Sequence, residues 1–439
     1  MGLFIRRFGG VSSVGFLSYV GEYASYIVVL AFISDKLTIN FGLGDFGYLL
    51  IGTLSSAYLV GSGLIAVPIG HLSDKFGRRW FAVGGCALGV VGLVSLIFAN
   101  GVTNLTEFAV GMSVSLCALG IGHGTYTAST LAYTGDIAGK YEAMGKSYGL
   151  IEGAEFAGYA FGPALGTTVA FLSGRVTVFE VSASMLLVAA AIAFVSMPEI
   201  RSAAEIRSPH AHEHEGVEHD AIESVVDAAG GEEGDPHVHG ASWGDYVAAF
   251  KVPIISVALL TTFVGSIGFS GFFYYVPLYA NSLKGFVPAF GLLYGYFASI
   301  MALTAVILMV PIGHIEDAGK RRMPYLAAGL VLGALSLSFV FITASVPSFV
   351  IASLAFGFSI AIVRVSQLVI LAERSNPSNR AAIMGTNHAV EHAGYGVATL
   401  AVGALIAFLG FVGAFRGLSL ILLLAGLGFL LYAIKMKVK

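Results

Sequence analysis

Apolar residues run almost unbroken for 20 to 30 positions at a time, and short polar stretches punctuate the runs. A helix that crosses a bilayer needs about 20 mainly apolar residues. By that rule twelve spans are predicted: 11–34, 44–70, 79–99, 104–133, 145–172, 176–197, 248–281, 286–313, 323–344, 347–372, 381–409 and 412–434. The connections are short except for residues 198–247. The expected fold is all-α: a membrane protein of twelve transmembrane helices in two six-helix bundles. They form an N-terminal half (1–197), a linker (198–247) and a C-terminal half (248–439). The first apolar run is too long for the core of a secretory signal, so it is read as a retained first span.

Composition agrees. The chain has 439 residues, of which 56% are hydrophobic and 11% charged, and its mean hydropathy is +0.84. Soluble domains are about 45–50% apolar and about 25% charged. The natural solvent for this chain is lipid. Glycine, at 57 residues, suits helices that approach closely in a membrane. The two cysteines, Cys86 and Cys117, both lie in apolar runs and are read as small buried residues.

Lys and Arg set orientation. With an even number of spans both termini share a side, and 18 of the bases fall on that side against four (Lys36, Arg175, Lys284, Arg416) on the other. The termini and the linker are therefore expected in the cytoplasm, with the chain in a cell (inner or plasma) membrane. A miscounted span would scatter these charges, so the bias also supports twelve. The linker differs in composition: six of the eleven histidines lie in residues 210–240, and residues 199–245 hold twelve acids and two bases. It reads as an acidic solvated segment, with metal binding at its histidines as the alternative.

The halves repeat a phrase. "PIGHLSDKFGRR" begins at Pro68 and "PIGHIEDAGKRR" at Pro311, and "AYTGDIAGKYEAMG" (132–145) aligns with "AERSNPSNRAAIMG" (372–385). Two parallel six-helix repeats related by an axis along the membrane normal fit this layout. Gly70, Asp74, Gly77, Arg78 and Arg79 resemble the loop signature between helices 2 and 3 of major facilitator transporters, and Gly313, Asp317, Arg321 and Arg322 form a second copy. The fifth span resembles another signature of that family, with Gly149, Gly158, Gly162, Pro163 and Gly166. In the family it is associated with drug–proton antiporters of the twelve-helix type. The resemblance implies alternating access, with the repeated loop as a conformational latch. One departure stands out: where the family often places an arginine linked to proton coupling, the fourth span has Leu116. By spacing, Gly158, Gly162 and Gly166 share one helical face suited to close packing.

Ionisable groups within spans are costly and mark functional sites by default. Those read as candidates are Glu22, Glu152, Glu155, Arg364, His388, Glu391 and His392. The carboxylates Glu22 and Glu155 are the first candidates for a proton site, and Arg364 for a counter-ion to an organic anion. A structural pair of Arg364 with Glu391 is the alternative. His123 is a candidate cavity residue, and Tyr26 and Tyr275 are candidate solute contacts beside Tyr19, Tyr23 and the run Phe272–Tyr275. His388, Glu391 and His392 also match the H-x-x-E-H pattern of zinc peptidases. A peptidase needs a third ligand and a supporting fold, so the chain is not read as an enzyme. His388 and His392 remain candidates for carrying a divalent metal. No nucleotide-binding or nucleic-acid motif is present. The expected protein is a monomeric transporter without a cofactor, whose partners are a small solute, a coupling proton or other ion, and the bilayer. Export of an amphipathic, drug-like compound in exchange for protons is the leading reading. Divalent-metal transport and organic-anion uptake are the alternatives.

Overall fold

A computed structural model describes residues 2–99, 101–140, 144–197, 252–319, 322–342, 344–373 and 380–436. The linker expected at 198–247 lies outside the described residues. The helices are α1 (Gly2–Asp35), α2 (Gly47–Phe76), α3 (Arg78–Ala99), α4 (Leu105–Lys140), α5 (Met144–Ser173) and α6 (Arg175–Ser196) in the first half. The second half has α7 (Pro253–Ser270), α8 (Val276–Ser282), α9 (Phe290–Gly319), α10 (Arg322–Val340), α11 (Val346–Glu373) and α12 (Arg380–Met436). Among the described residues, ten stretches are long and apolar enough to cross a membrane.

These elements make twelve spans. The π-helical turn Gly271–Tyr275 joins α7 to α8 as one stretch, Pro253–Ser282. The 57 residues of α12 are two helices meeting at Gly410, whose φ of +68° breaks the helical path. A residue with a Cβ rarely adopts that φ, so glycine sets the turn where the sequence predicts a loop at 410–411. α5, at 30 residues, supplies the fifth span. Several helices run further toward the terminal side than predicted; α4 reaches Lys140 and α9 reaches Gly319. The polar motif begins inside the helix because its backbone still forms i→i−4 bonds there. Gly77, with φ +99°, then ends α2.

Packing follows the repeat. In the first half α1 packs on α5 and α6, α4 on α2 and α3, and α3 on α6. In the second half α11 packs on α9 and α10, and α12 on α7 and α10. The halves meet along α2 against α12 and α5 against α9.

Side chains too small to separate helices make the closest joints. A Cβ on Gly162 would lie 2.8 Å from the Tyr23 Cβ, and one on Gly158 or Gly166 would collide with Tyr19 or Ala24. The glycine face of α5 is thus buried on α1, as its spacing predicts. Between the halves, a Cβ on Gly52 would lie 2.5 Å from the Thr399 carbonyl oxygen, and one on Gly295 would lie 2.6 Å from that of Pro163. Gly52 and Gly295 sit near the starts of α2 and α9. Both seams are therefore tightest at the end of the bundle away from the termini.

Candidate functional site

Glu22 is the most enclosed acid of the described spans, at 2% exposure. α1 brings it to mid-span, about 20 Å along the helix from Asp35. Three neighbours from two other helices converge on its carboxylate. The Tyr58 hydroxyl of α2 donates to Oε1 at 2.5 Å. The Tyr126 hydroxyl of α4 donates to Oε2 at 2.5 Å. His123 Nδ1, one turn earlier on α4, lies 2.6 Å from the same Oε2 and 3.0 Å from the Tyr126 hydroxyl. At that distance one proton lies between the carboxyl oxygen and the ring nitrogen. Glu22 and His123 thus share at least one proton out of contact with bulk water. Lengths near 2.5 Å are those of charge-assisted bonds.

A second cluster lies in the other half. Arg364 of α11 pairs with Glu391 of α12 at 2.7 Å, and the Tyr395 hydroxyl donates to the other Glu391 oxygen at 2.5 Å. This is the structural pair that the sequence offered as an alternative, yet it is not sealed in packing. Arg364, Glu391, Tyr395, Gln367, Thr262 and Ser266 line a cavity of about 50 Å³. Beside it, Asn387 Oδ1 accepts from Thr262 at 2.6 Å and from Gln367 at 2.9 Å.

His392 links the clusters. Its ring centre lies 6.3 Å from that of His123 in the other half and 4.3 Å from that of His388. Gly63 of α2 lets it approach: a Cβ there would meet the His392 Cβ at 3.0 Å. Aromatic rings fill the rest of the midplane between the halves. Tyr23 stacks on Tyr159 at 4.0 Å, Tyr159 meets Phe269 at 5.3 Å, and Phe269 meets Tyr395 at 5.3 Å.

At the end away from the termini, a third group spans the two halves. Asp35, at the end of α1, accepts from Lys284 Nζ at 2.7 Å and from Asn281 Nδ2 at 3.2 Å, both in the second half. Arg175, at the start of α6, also pairs with Asp35. The sequence exposed Arg175 and Lys284 only as two of the few bases on that side.

The remaining candidates fall in different places. Glu155 is half-buried, with the Tyr159 hydroxyl at 3.4 Å from its carboxylate. Tyr26 is fully buried against Tyr58 and Tyr274. Tyr275 is equally buried and donates to the Thr399 carbonyl at 2.5 Å, which makes it a seam residue. Of the loop motif, Arg78 donates to Ser73 at 2.9 Å, Arg79 lies over the rings of Trp80 and Phe194, and Arg322 donates to Glu373 at 3.2 Å. Arg321 lies outside the described residues, as do the surroundings of Gly70, Asp74, Gly149, Glu152 and Asp317. Among the described residues no group of three or more His, Cys, Asp or Glu side chains is placed to hold a metal ion, the adjoining His388 and His392 included. The cysteines are free: Cys86 is buried and Cys117 partly so.

A family description, Major Facilitator Superfamily, matches residues 11–327 and 290–438. The chain belongs to the Major Facilitator Superfamily. Members are secondary transporters, and this chain shares their fold at large. It superposes on the peptide transporter POT in complex with sulfate with TM-score 0.67 at 16% identity, covering 97% of this chain and 94% of that one. A mutant of the nucleoside transporter NupG gives 0.67 at 14%, covering 98% and 99%. The human organic anion transporter MFSD10 (TETRAN) gives 0.62 at 17%, covering 96% and 99%. No curated protein matches the sequence of this facilitator.

Sequence reasoning missed Tyr58, Tyr126, Gln367 and Asn387. Each is a neutral polar residue in an apolar run, and in one sequence it looks like any packed side chain. A signal existed for Tyr126, which lies one turn from His123, so that the two share a helical face.

Proposed function

We propose that this facilitator is a proton-coupled transporter of small amphipathic organic solutes, working by alternating access. The observation that carries the reading is Glu22, enclosed at mid-span by Tyr58, Tyr126 and His123, the last of which faces His392 of the opposite half. A proton held there is felt by both halves, because its charge lies at their junction. The aromatic midplane suits an amphipathic solute. The similar structures carry peptides, nucleosides or organic anions by their own descriptions, which supports an organic solute over a metal ion.

The remaining assignments follow from charge and from the repeat. The termini and the linker face the cytoplasm of a cell membrane, and the protein acts as a monomer. The repeated motif at Gly70–Arg79 and Gly313–Arg322 is the latch of that side, and the Asp35 group is the latch of the other. The drug-export reading rests on the α5 signature. Three of its glycines are accounted for by packing on α1, so they give no argument for direction.

The test is reconstitution in vesicles with a pH dye inside. Glycylglycine, uridine, hippurate and tetraphenylphosphonium are each offered in a gradient. At least one is expected to drive a lumenal pH change beyond that of protein-free vesicles, and its sign tells co-transport from exchange. Glu22→Gln should abolish that change while the purified variant stays monodisperse. Solute accumulation with no pH change, or an unaltered pH change in Glu22→Gln, overturns the reading.

A further inference from the structure

Arg364 is the one Lys or Arg that the sequence places more than five residues inside a predicted span. It lies on the wall of a cavity rather than in close packing. Its described carboxylate partner, Glu391, sits on the next helix element at 2.7 Å. The side chains are 14% and 10% exposed, so the pair is almost desolvated yet still reached from the cavity. Around it stand hydroxyl and amide groups of Thr262, Ser266, Ser359 and Gln367. The other walls are apolar, including Phe156, Phe269 and Phe356. A cavity of about 50 Å³ holds a headgroup of a few atoms. The rings of Phe269, Tyr159 and Phe273 then continue from it toward the junction of the halves, with centres 5.1 to 5.3 Å apart.

These features describe a site for a carboxylate with an apolar or aromatic body. A guanidinium binds a planar carboxylate through paired N–H donors, and such bonds strengthen out of water. We propose that the solute of this transporter is an organic monocarboxylate that docks on Arg364 by displacing Glu391. In the empty protein the Glu391 carboxylate stands where the solute's carboxylate will lie, and it keeps the Tyr395 hydroxyl when displaced. This rests on the proton-coupled reading above and adds the substrate class. It also gives that coupling a cause. A second carboxylate in this space leaves one negative charge uncompensated, which is costly when buried. Uptake of one proton by the Glu22–His123 pair at the junction offsets that charge within the protein, so anion and proton enter together.

The test uses purified full-length protein and three matched probes at neutral pH: 3-phenylpropionate, 3-phenylpropionamide and 3-phenylpropylamine. Binding is read by thermal stabilisation and by calorimetry. The carboxylate is expected to bind, and the amide and the amine at least about tenfold more weakly. Arg364→Gln should abolish carboxylate binding, and Arg364→Lys should retain part of it. Glu391→Gln should tighten carboxylate binding by roughly tenfold, because the internal competitor loses its charge. A pair that only joins helices gives no such gain. Equal binding of the three probes, or unchanged carboxylate binding in Arg364→Gln, overturns the assignment. So does weaker carboxylate binding in a folded Glu391→Gln. If Arg364→Gln does not fold, the Glu391→Gln and Arg364→Lys results decide. Failure here combined with a solute-driven pH change in vesicles leaves proton coupling standing. Arg364-dependent carboxylate binding without any proton-linked flux supports the site and sinks the coupling.

Discussion

Asp35→Asn tests whether the charged group at the end away from the termini holds that end closed. The Asp35 carboxylate receives two bonds from the second half, from Lys284 at 2.7 Å and from Asn281 at 3.2 Å. Its side chain is 20% exposed and that of Lys284 37%, so water screens the pair. An ion pair in such a setting contributes up to about 1 kcal/mol. The bond from a neutral amide adds about 1 kcal/mol. Asp35→Asn removes the ion pair and turns one of the two acceptors into an NH2 donor, which costs the closed state about 1–2 kcal/mol, a shift of roughly 5- to 30-fold in the ratio of closed to open.

The assay measures distances between spin labels at Ile39 and Phe286, which are 69% and 86% exposed and belong to different halves. Cys86 and Cys117 are first replaced by alanine. In Asp35→Asn the ratio of the longer to the shorter distance should rise by the factor above. Lys284→Gln should do the same, and the double variant should fall short of the sum, because the two side chains share one contact. Raising salt to about 1 M shortens the screening length to about 3 Å and should weaken closure in the parent more than in Lys284→Gln. If the two substitutions add to within about 0.3–0.5 kcal/mol, they do not interact, and the latch argument fails.

Other outcomes follow from the same geometry. Tyr58→Phe and Tyr126→Phe each remove one hydroxyl donor from Glu22, a loss of about 1.5–3 kcal/mol for a charged acceptor. Proton-driven flux in vesicles should fall by about tenfold or more in each while the elution profile is unchanged. Gly158→Val forces a side chain into Tyr19 at the α1–α5 joint; a lower melting temperature and loss of the monodisperse peak are expected. Gly403→Val sets a side chain against the Tyr48 carbonyl across the α2–α12 seam. It should leave the halves folded and shift the Ile39–Phe286 distance to longer values. His392→Ala should lower proton-driven flux while leaving 3-phenylpropionate binding within about twofold, since His392 lies outside the cavity that holds Arg364.

Span number, the repeated phrase and the glycine face of α5 were legible in the sequence because each is a one-dimensional pattern. A run of 20 apolar residues, a phrase repeated at a 243-residue offset and small residues four apart need no knowledge of neighbours. Glu22, Arg364 and Glu391 were legible for a related reason: a charge within an apolar run is conspicuous wherever it ends up. Their partners were not. Tyr58 reaches Glu22 from 36 positions away and Tyr126 from 104, and a tyrosine in a membrane span has many uses. The Asp35 group was hidden differently. Its members sit at three span ends, where single charges are ordinary, and only the fold brings residues 35, 175 and 284 to one point.

The contrast between joints within a half and joints between halves makes an argument about motion. Within the first half, α5 lies so close to α1 that a single Cβ at Gly158 or Gly166 collides with the facing helix. Helices in such contact move together, because small lateral shifts lose dispersion contacts along the whole face. Between the halves, the far end is held by polar bonds at Asp35, which water can replace, and by glycine contacts with carbonyl oxygens. The junction near mid-span holds the imidazoles of His123 and His392, with ring centres 6.3 Å apart and, among the described residues, no hydrogen bond between the two rings to lock them. The stiff joints therefore lie inside the halves and the replaceable ones between them. α1 carries both Glu22 and Asp35 on one continuous helix, 13 residues apart; under the proposed function the first holds the proton and the second latches the far end. A change of charge at Glu22 that tilts the first half as a body must move Asp35 relative to Lys284. Proton loading and far-end opening are then two readings of one rotation, which predicts that Glu22→Gln alone changes the Ile39–Phe286 distance distribution without touching either label site.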